Sequence, residues 1–256
     1  MKKAPRIFAA IAATLAIAGV VHWWLQRDRL TYLDGITTDY VSLFEAPPAP
    51  DSPATRAELD ELLGLQNTRS DADVAAARAD RKTVIQRFYG ALGFQEGAEP
   101  DLPLLRTLAE TVEDDTRPYV RAAKEKFRRL RPYEIEPRLH PCIDNVRGDL
   151  SYPSGHASYG YVMAFLLREL VPERGDALLA RADDFARQRM VCGVHFRSDI
   201  DAGRQGAQWL IFALDASPGF QADADAAKTE LRTALHLPPV APNVQMPASA
   251  PSAHSP

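Results

Sequence analysis

SYPSGHASYGYVMAFLLREL, residues 151–170, is the stretch on which the fold turns. It opens on a Pro-Ser-Gly-His turn and continues as an apolar run without the alternation of a half-buried strand. The expected element is a helix over about His156–Leu170. Charged residues stop the apolar run of Tyr159–Leu167 well short of a bilayer span.

Working outward, the same kind of signal recurs. Asp51-Ser52-Pro53-Ala54 is capping and first-turn proline chemistry, and Leu59, Leu62 and Leu63 follow at helical spacing. A helix is expected from about Asp71 into Phe88, with Val74, Ala77, Val84 and Phe88 inward. Two separate helices are expected over Pro103–Val112 and Pro118–Leu130. The second should end before Arg131-Pro132, since a proline disfavours helix for the residue ahead of it. His140–Ser151 reads as a loop. Helices are expected again at about Arg174–Cys192, Asp199–Ala216 and Ala222–Leu235. With no sustained period-two pattern, the fold class is all-α, a single helical domain over residues 30–236.

Both ends read differently from this body. A basic start (Lys2, Lys3, Arg6) precedes an apolar run from Ile7 through Leu25, which is the layout of a secretory signal peptide over residues 1–29. The run is also about the ~20 residues a bilayer requires, so a retained membrane anchor over residues 7–25 stands beside it. Either outcome exports the body, to the periplasm in a bacterium. Residues 237–256 are rich in proline, alanine and serine, and a disordered tail is expected there. The net charge of -4 argues against nucleic acid as a main partner.

Cys142 and Cys192 flank the central motifs. In an exported chain a pair is read as bridged, closing a loop of about 50 residues that would stabilise by roughly 3–4 kcal/mol. Two separate buried thiols are the other reading. No Cys-x-x-Cys or His-x-x-x-His pairing suggests a zinc site, and no metal or cofactor is expected.

Three clusters carry chemistry: Lys124 with Arg131-Pro132, Pro153-Ser154-Gly155-His156, and Arg189 with His195 and Asp199. They supply three cations, a glycine turn ahead of a helix, two histidines and a carboxylate, an inventory for gripping an oxyanion and displacing a group from it. Each has a bland reading. The tetrapeptide alone is a capped turn, a lone His-x-x-x-Asp is more often a surface pair, and Arg189 could serve a helix dipole. The basic stretch Lys124, Lys126, Arg128, Arg129, Arg131 is by default a solvated helix face. Their joint occurrence, in order and with these spacings, outweighs the bland readings.

Lys-x6-Arg-Pro, Pro-Ser-Gly-His and Arg-x5-His-x3-Asp together resemble the three-part signature of the phosphatidic acid phosphatase type 2 superfamily. The flanks Ser151-Tyr152, Val191-Cys192-Gly193-Val194 and Ser198-Asp199-Ile200-Asp201-Ala202-Gly203-Arg204 resemble its bacterial class A non-specific acid phosphatases. The likeness runs from about Leu43 to Leu235. It implies the all-helical fold shared with the vanadium haloperoxidases and an exported, metal-independent phosphomonoesterase acting on small phosphorylated substrates. It implies substrate-binding roles for Lys124, Arg131, Ser154, Gly155 and Arg189. Catalytic roles fall to His195 as nucleophile, Asp199 as its orienter and His156 as acid and base, and oligomers of like chains are also implied. The chain departs from the family pattern at Gln188 (usually serine), Tyr133 (usually phenylalanine) and Phe196-Arg197; Arg197, if it faces the pocket, would favour more anionic phosphates. Alternatives are a lipid phosphatase of the same superfamily, a vanadate-dependent haloperoxidase, or an anchored scaffold without catalysis.

Overall fold

The computed structural model describes residues 31–36, 39–143 and 149–239. The signal or anchor segment, and all but the first three residues of the tail, lie outside these. Among the described residues the structure is helical throughout, without strands, and no helix is long and apolar enough to cross a membrane.

The main helices are α1 (Pro53–Thr68), α2 (Asp71–Ala79), α3 (Pro103–Phe127), α4 (Gly155–Leu170), α5 (Gly175–Val191), α6 (Arg197–Asp215) and α7 (Pro218–Ala234). Short helical turns occupy Tyr89–Leu92 and Pro132–Ile135. Helix α4 lies at the centre and packs on α5 and α6. Its side chains from Ala157 to Ala164 are all buried, as expected for a helix that is apolar around its whole circumference. Helix α7 packs on α3, and α2 on α5.

Close approach of α4 and α6 depends on Gly203. A Cβ there would fall 2.7 Å from Ala157 Cβ and 2.9 Å from the Ser154 carbonyl oxygen. This crossing brings the start of α6 against the start of α4, where the Ser154 amide donates to the Asp199 carbonyl at 2.9 Å. Two sequence motifs far apart in the chain thereby share one corner of the fold.

The expected helix from Asp71 into Phe88 is broken. It starts on a Ser70–Asp73 capping box, ends at Ala79, and resumes only as a 3-10 turn over Ile85–Phe88. The periodicity misleads here because Asp80 is drawn into the interior, where Arg87 (2.8 Å) and Arg181 (2.5 Å) hold its carboxylate. Val84 is extended and exposed, not inward. Conversely, the two helices expected across 103–130 are one. Pro118 removes an N–H inside α3 and would normally disrupt it by ~3 kcal/mol or more. Here α3 is held on both sides of the proline: Leu105, Leu108, Val112, Val120 and Ala123 are buried on one face, and the Asp115 carboxylate accepts the amides of Thr31 (2.8 Å), Tyr32 and Leu33. The helix also ends three residues sooner than expected, at a left-handed Arg128. Helix α7 begins at Pro218 behind a Ser217 cap, four residues before the expected Ala222.

Candidate active site

Helix α5 ends in a glycine turn. Gly193 takes φ +68°, donates to the Met190 carbonyl, and Val194 reaches back to Arg189 at 3.0 Å, which closes the helix and turns the chain inward. Cys142 and Cys192 are bridged at this turn, with their Cα atoms 4.8 Å apart. Arg69 caps the helix end by donating to the carbonyls of Val191 (3.0 Å) and His140 (2.9 Å). The turn thus delivers His195 at a fixed position, 2% exposed.

His195 Nδ1 lies 3.1 Å from Asp199 Oδ2, the i, i+4 contact that the start of α6 makes available. A carboxylate only accepts, so Nδ1 carries the hydrogen and Nε2 presents its lone pair. Asp199 is itself fixed. Its Oδ2 accepts from the Phe196 amide (2.9 Å) and the Ser151 hydroxyl, and its Oδ1 accepts from Arg129 Nη1 (2.7 Å).

Three cations surround this pair. Arg131 Nη1 stands 3.0 Å from His195 Nε2 and donates to the Val194 carbonyl at 2.8 Å, while Nη2 pairs with Asp149. Lys124 Nζ donates to the Leu150 carbonyl and reaches Ser151 O at 3.3 Å. Arg189 is 1% exposed; its Nη2 donates to Ala77 O at 2.7 Å, and its Nε and Nη1 are buried with no partner among the described residues. Two orphaned guanidinium donors inside a protein cost free energy unless an acceptor arrives.

Ser154 caps α4, its hydroxyl accepting from Ala157 N at 3.3 Å, and Gly155 opens the helix. His156 follows, with Nε2 2.9 Å from the Arg81 carbonyl and its ring stacked on Phe185. That carbonyl accepts, so Nε2 holds the hydrogen and Nδ1 is the nitrogen left to take a proton. The break in the 71–88 segment therefore has a local consequence: Ala77 and Arg81 offer carbonyls to Arg189 and His156.

Burial and the crowded positive charge act the same way on His195, His156, Lys124 and Arg189. Desolvation first, then Arg131 and Lys124, hold His195 well below the ordinary imidazole range. Desolvation and Arg189 lower His156 to about 4. Desolvation, with Arg131 adding to it, brings Lys124 down to about 8, and desolvation brings Arg189 to about 10. The pocket is short of negative charge and both histidines are neutral in it.

The structure brings all eight site residues expected from the three clusters to this corner. It adds two the sequence reading did not assign, Arg129 and Ser151. Arg129 is not on a solvated face: it is 9% exposed, lies 3.8 Å over the Phe196 ring, and bridges Asp199 and Ser198 to Glu58. Arg197 does not join the cations; it points to Glu61, which accepts from its Nε at 3.0 Å. Gln188 is buried and donates to Asp184 at 3.1 Å. Among the described residues no group of three His, Cys, Asp or Glu side chains is placed to hold a metal ion.

The PAP2 superfamily model matches residues 110–217, a span that contains every one of these eight residues. Residues 110–217 are a PAP2 superfamily domain. The chain's curated relatives include a non-specific acid phosphatase of Providencia stuartii, 34% identical over 169 residues, covering 64% of this chain and 66% of that protein. They also include an acid phosphatase of Zymomonas mobilis, 28% identical over 255 residues, covering 93% of this chain and 96% of that one. This domain and these relatives agree with the class A flanks read in the sequence. Among solved structures, a bacterial vanadium-dependent iodoperoxidase superposes with a TM-score of 0.54 at 19% identity, over 70% of this chain and 53% of that one. At that identity the likeness is one of fold alone, the all-helical architecture.

Proposed function

We propose that this protein is an exported acid phosphatase, a phosphoric monoester hydrolase that works through a phosphohistidine on His195. The observation that carries the reading is the pairing of a buried, neutral, Asp199-oriented imidazole with Arg189, whose two unpartnered buried donors await an oxyanion. Lys124, Arg131 and Arg189 hold the phosphoryl oxygens, with the start of α4 at Ser154 and Gly155 behind them. His195 Nε2 attacks phosphorus in line with the leaving oxygen. Arg131 Nη1, now against Nε2, shifts to a phosphoryl oxygen as substrate enters. Each well-aimed donor is worth roughly 10²–10³-fold in rate, so the cationic clamp carries most of the acceleration and supplies the charge stabilisation without a metal.

His156 gives a proton to the departing alkoxide and takes one from the water that hydrolyses the intermediate. In the empty site it is lowered to about 4, too acidic to be charged at mildly acid pH. A bound phosphate dianion reverses the local charge and raises it, so the acid is armed by substrate. The acidic optimum follows from this requirement for one neutral and one protonated histidine.

The test is hydrolysis of p-nitrophenyl phosphate in EDTA by wild type and by His195→Ala. Activity that survives the chelator and vanishes in the variant supports the reading. Equal activity in both, or dependence on added metal, would overturn it.

A further inference from the structure

The entrance to the site contains a cation that the hydrolytic scheme does not use. Helix α3 presents Arg117, Arg121 and Lys124 at i, i+4 and i+7, a single stripe on its surface. The stripe and Val120 of the same helix form one side of a cleft of about 300 Å³, and Asp149, Leu150 and Gly155 line the rest. The cleft thus runs into the phosphoryl site, since Lys124 and Gly155 belong to both.

Charges around the cleft are mostly neutralised by neighbours. Arg117 pairs with Glu113 (3.2 Å) and Asp114 (3.1 Å), Glu125 with Arg128 (3.1 Å), and Asp149 with Arg131. Farther up the same helix Arg106 pairs with Asp101 at 2.7 Å. Arg121 breaks this pattern: among the described residues it has no hydrogen bond and no ion pair, although it faces the cleft. A guanidinium left open beside a phosphate-binding pocket is a docking point for more negative charge. Gly155 leaves the passage clear, since even a Cβ there would meet nothing closer than Val120 at 3.8 Å.

We propose that the cleft is a second-anion subsite, in which Arg121 receives a negatively charged group that the substrate carries away from its scissile phosphate. This rests on the phosphatase reading above. Side chains at i and i+3 start about 5–6 Å apart, so with their reach the two anions would be separated by roughly 6–9 Å. The ligand class is a short-chain phosphomonoester with a second phosphate or carboxylate, such as a bisphosphate of a small polyol.

The experiment compares butane-1,4-diol bisphosphate with 4-hydroxybutyl phosphate on the full chain and on Arg121→Ala, with p-nitrophenyl phosphate as reference. Two equivalent ends alone give the bisphosphate an advantage of about twofold in kcat/KM. The subsite predicts an advantage of about tenfold or more at low salt, shrinking as salt screens it. In Arg121→Ala it should fall to about twofold, with p-nitrophenyl phosphate turnover unchanged. Active wild type with only the statistical advantage would overturn the subsite and leave the phosphatase reading standing. A wild type inactive on all three substrates would overturn the phosphatase reading, and the subsite with it.

Discussion

Asp199→Asn is the substitution whose outcome the geometry fixes most tightly. The two carboxylate oxygens face four donors: Arg129 Nη1 at 2.7 Å, the Phe196 amide at 2.9 Å, the Ser151 hydroxyl, and His195 Nδ1 at 3.1 Å. An asparagine keeps one acceptor oxygen and brings an NH₂ group that must face donors either way. With NH₂ toward Arg129, the His195 tautomer survives, but a buried donor–donor conflict costs about 1–3 kcal/mol. With NH₂ toward His195, Nδ1 becomes the acceptor, the hydrogen moves to Nε2, and the nucleophilic lone pair is lost. The second arrangement strands the neutral Phe196 amide, whereas the first strands the charged Arg129 guanidinium at greater cost; the second therefore dominates, and kcat should fall by roughly 10³–10⁴-fold, about 4–5.5 kcal/mol of barrier. The assay is steady-state hydrolysis of p-nitrophenyl phosphate beside a thermal melt. Asp199→Asn combined with His195→Ala should be no slower than His195→Ala alone, because both remove one nucleophile. A folded Asp199→Asn protein with kcat within about fivefold of wild type would refute the tautomer argument.

Three other outcomes follow from the same contacts. Arg129→Leu strands Asp199 and Glu58 in the interior and should cost about 3–5 kcal/mol in denaturant unfolding, with a fall in kcat; an unchanged midpoint would contradict its bridging role. Replacing Cys142 and Cys192 together by serine removes a cross-link across a separation of 50 residues and should cost roughly 3–4 kcal/mol, with His195 turnover falling as its turn loosens; no loss of stability would contradict this. Because folding lowers both site histidines, the unfolded chain binds more protons than the native one below the free imidazole pKa of about 6.5. The stability they contribute is whole above that pH and declines as pH falls toward about 4 for His156. Sulfate, which unlike inorganic phosphate is already a dianion in solution at this pH, raises that pKa, so its binding near pH 5.5 should take up protons, seen by calorimetry in two buffers of different ionisation enthalpy. Binding with no proton uptake would contradict the arming of His156.

The His195–Asp199 pair was legible because its geometry is local: the two stand four positions apart, and a helix start turns that spacing into a contact. The clamp was legible only as a joint pattern, since Lys124 and Arg189 stand on helices far apart in sequence and come together only around the two histidines. Arg129 was hidden for the opposite reason. It sits among five basic residues that a helix would present to water, and only the left-handed Arg128 turns it inward beneath Phe196. Pro118 misled because local backbone chemistry was overruled by burial of α3 on both sides of it. The break after Ala79 escaped notice because a buried carboxylate, Asp80, recruits arginines remote in the chain. What periodicity reads well is which face is apolar; buried charge is settled by partners it does not see.

The most direct test of the account is to quench turnover within milliseconds and examine the protein by intact mass and peptide mapping. The account predicts a single added phosphoryl group on His195 Nε2, acid-labile and base-stable, and absent from His195→Ala. It should accumulate in His156→Ala when the substrate has a good leaving group, because the water that clears it has lost its base. Rapid turnover with no phosphoenzyme at any quench time, or a phosphoryl group on another residue, would contradict it.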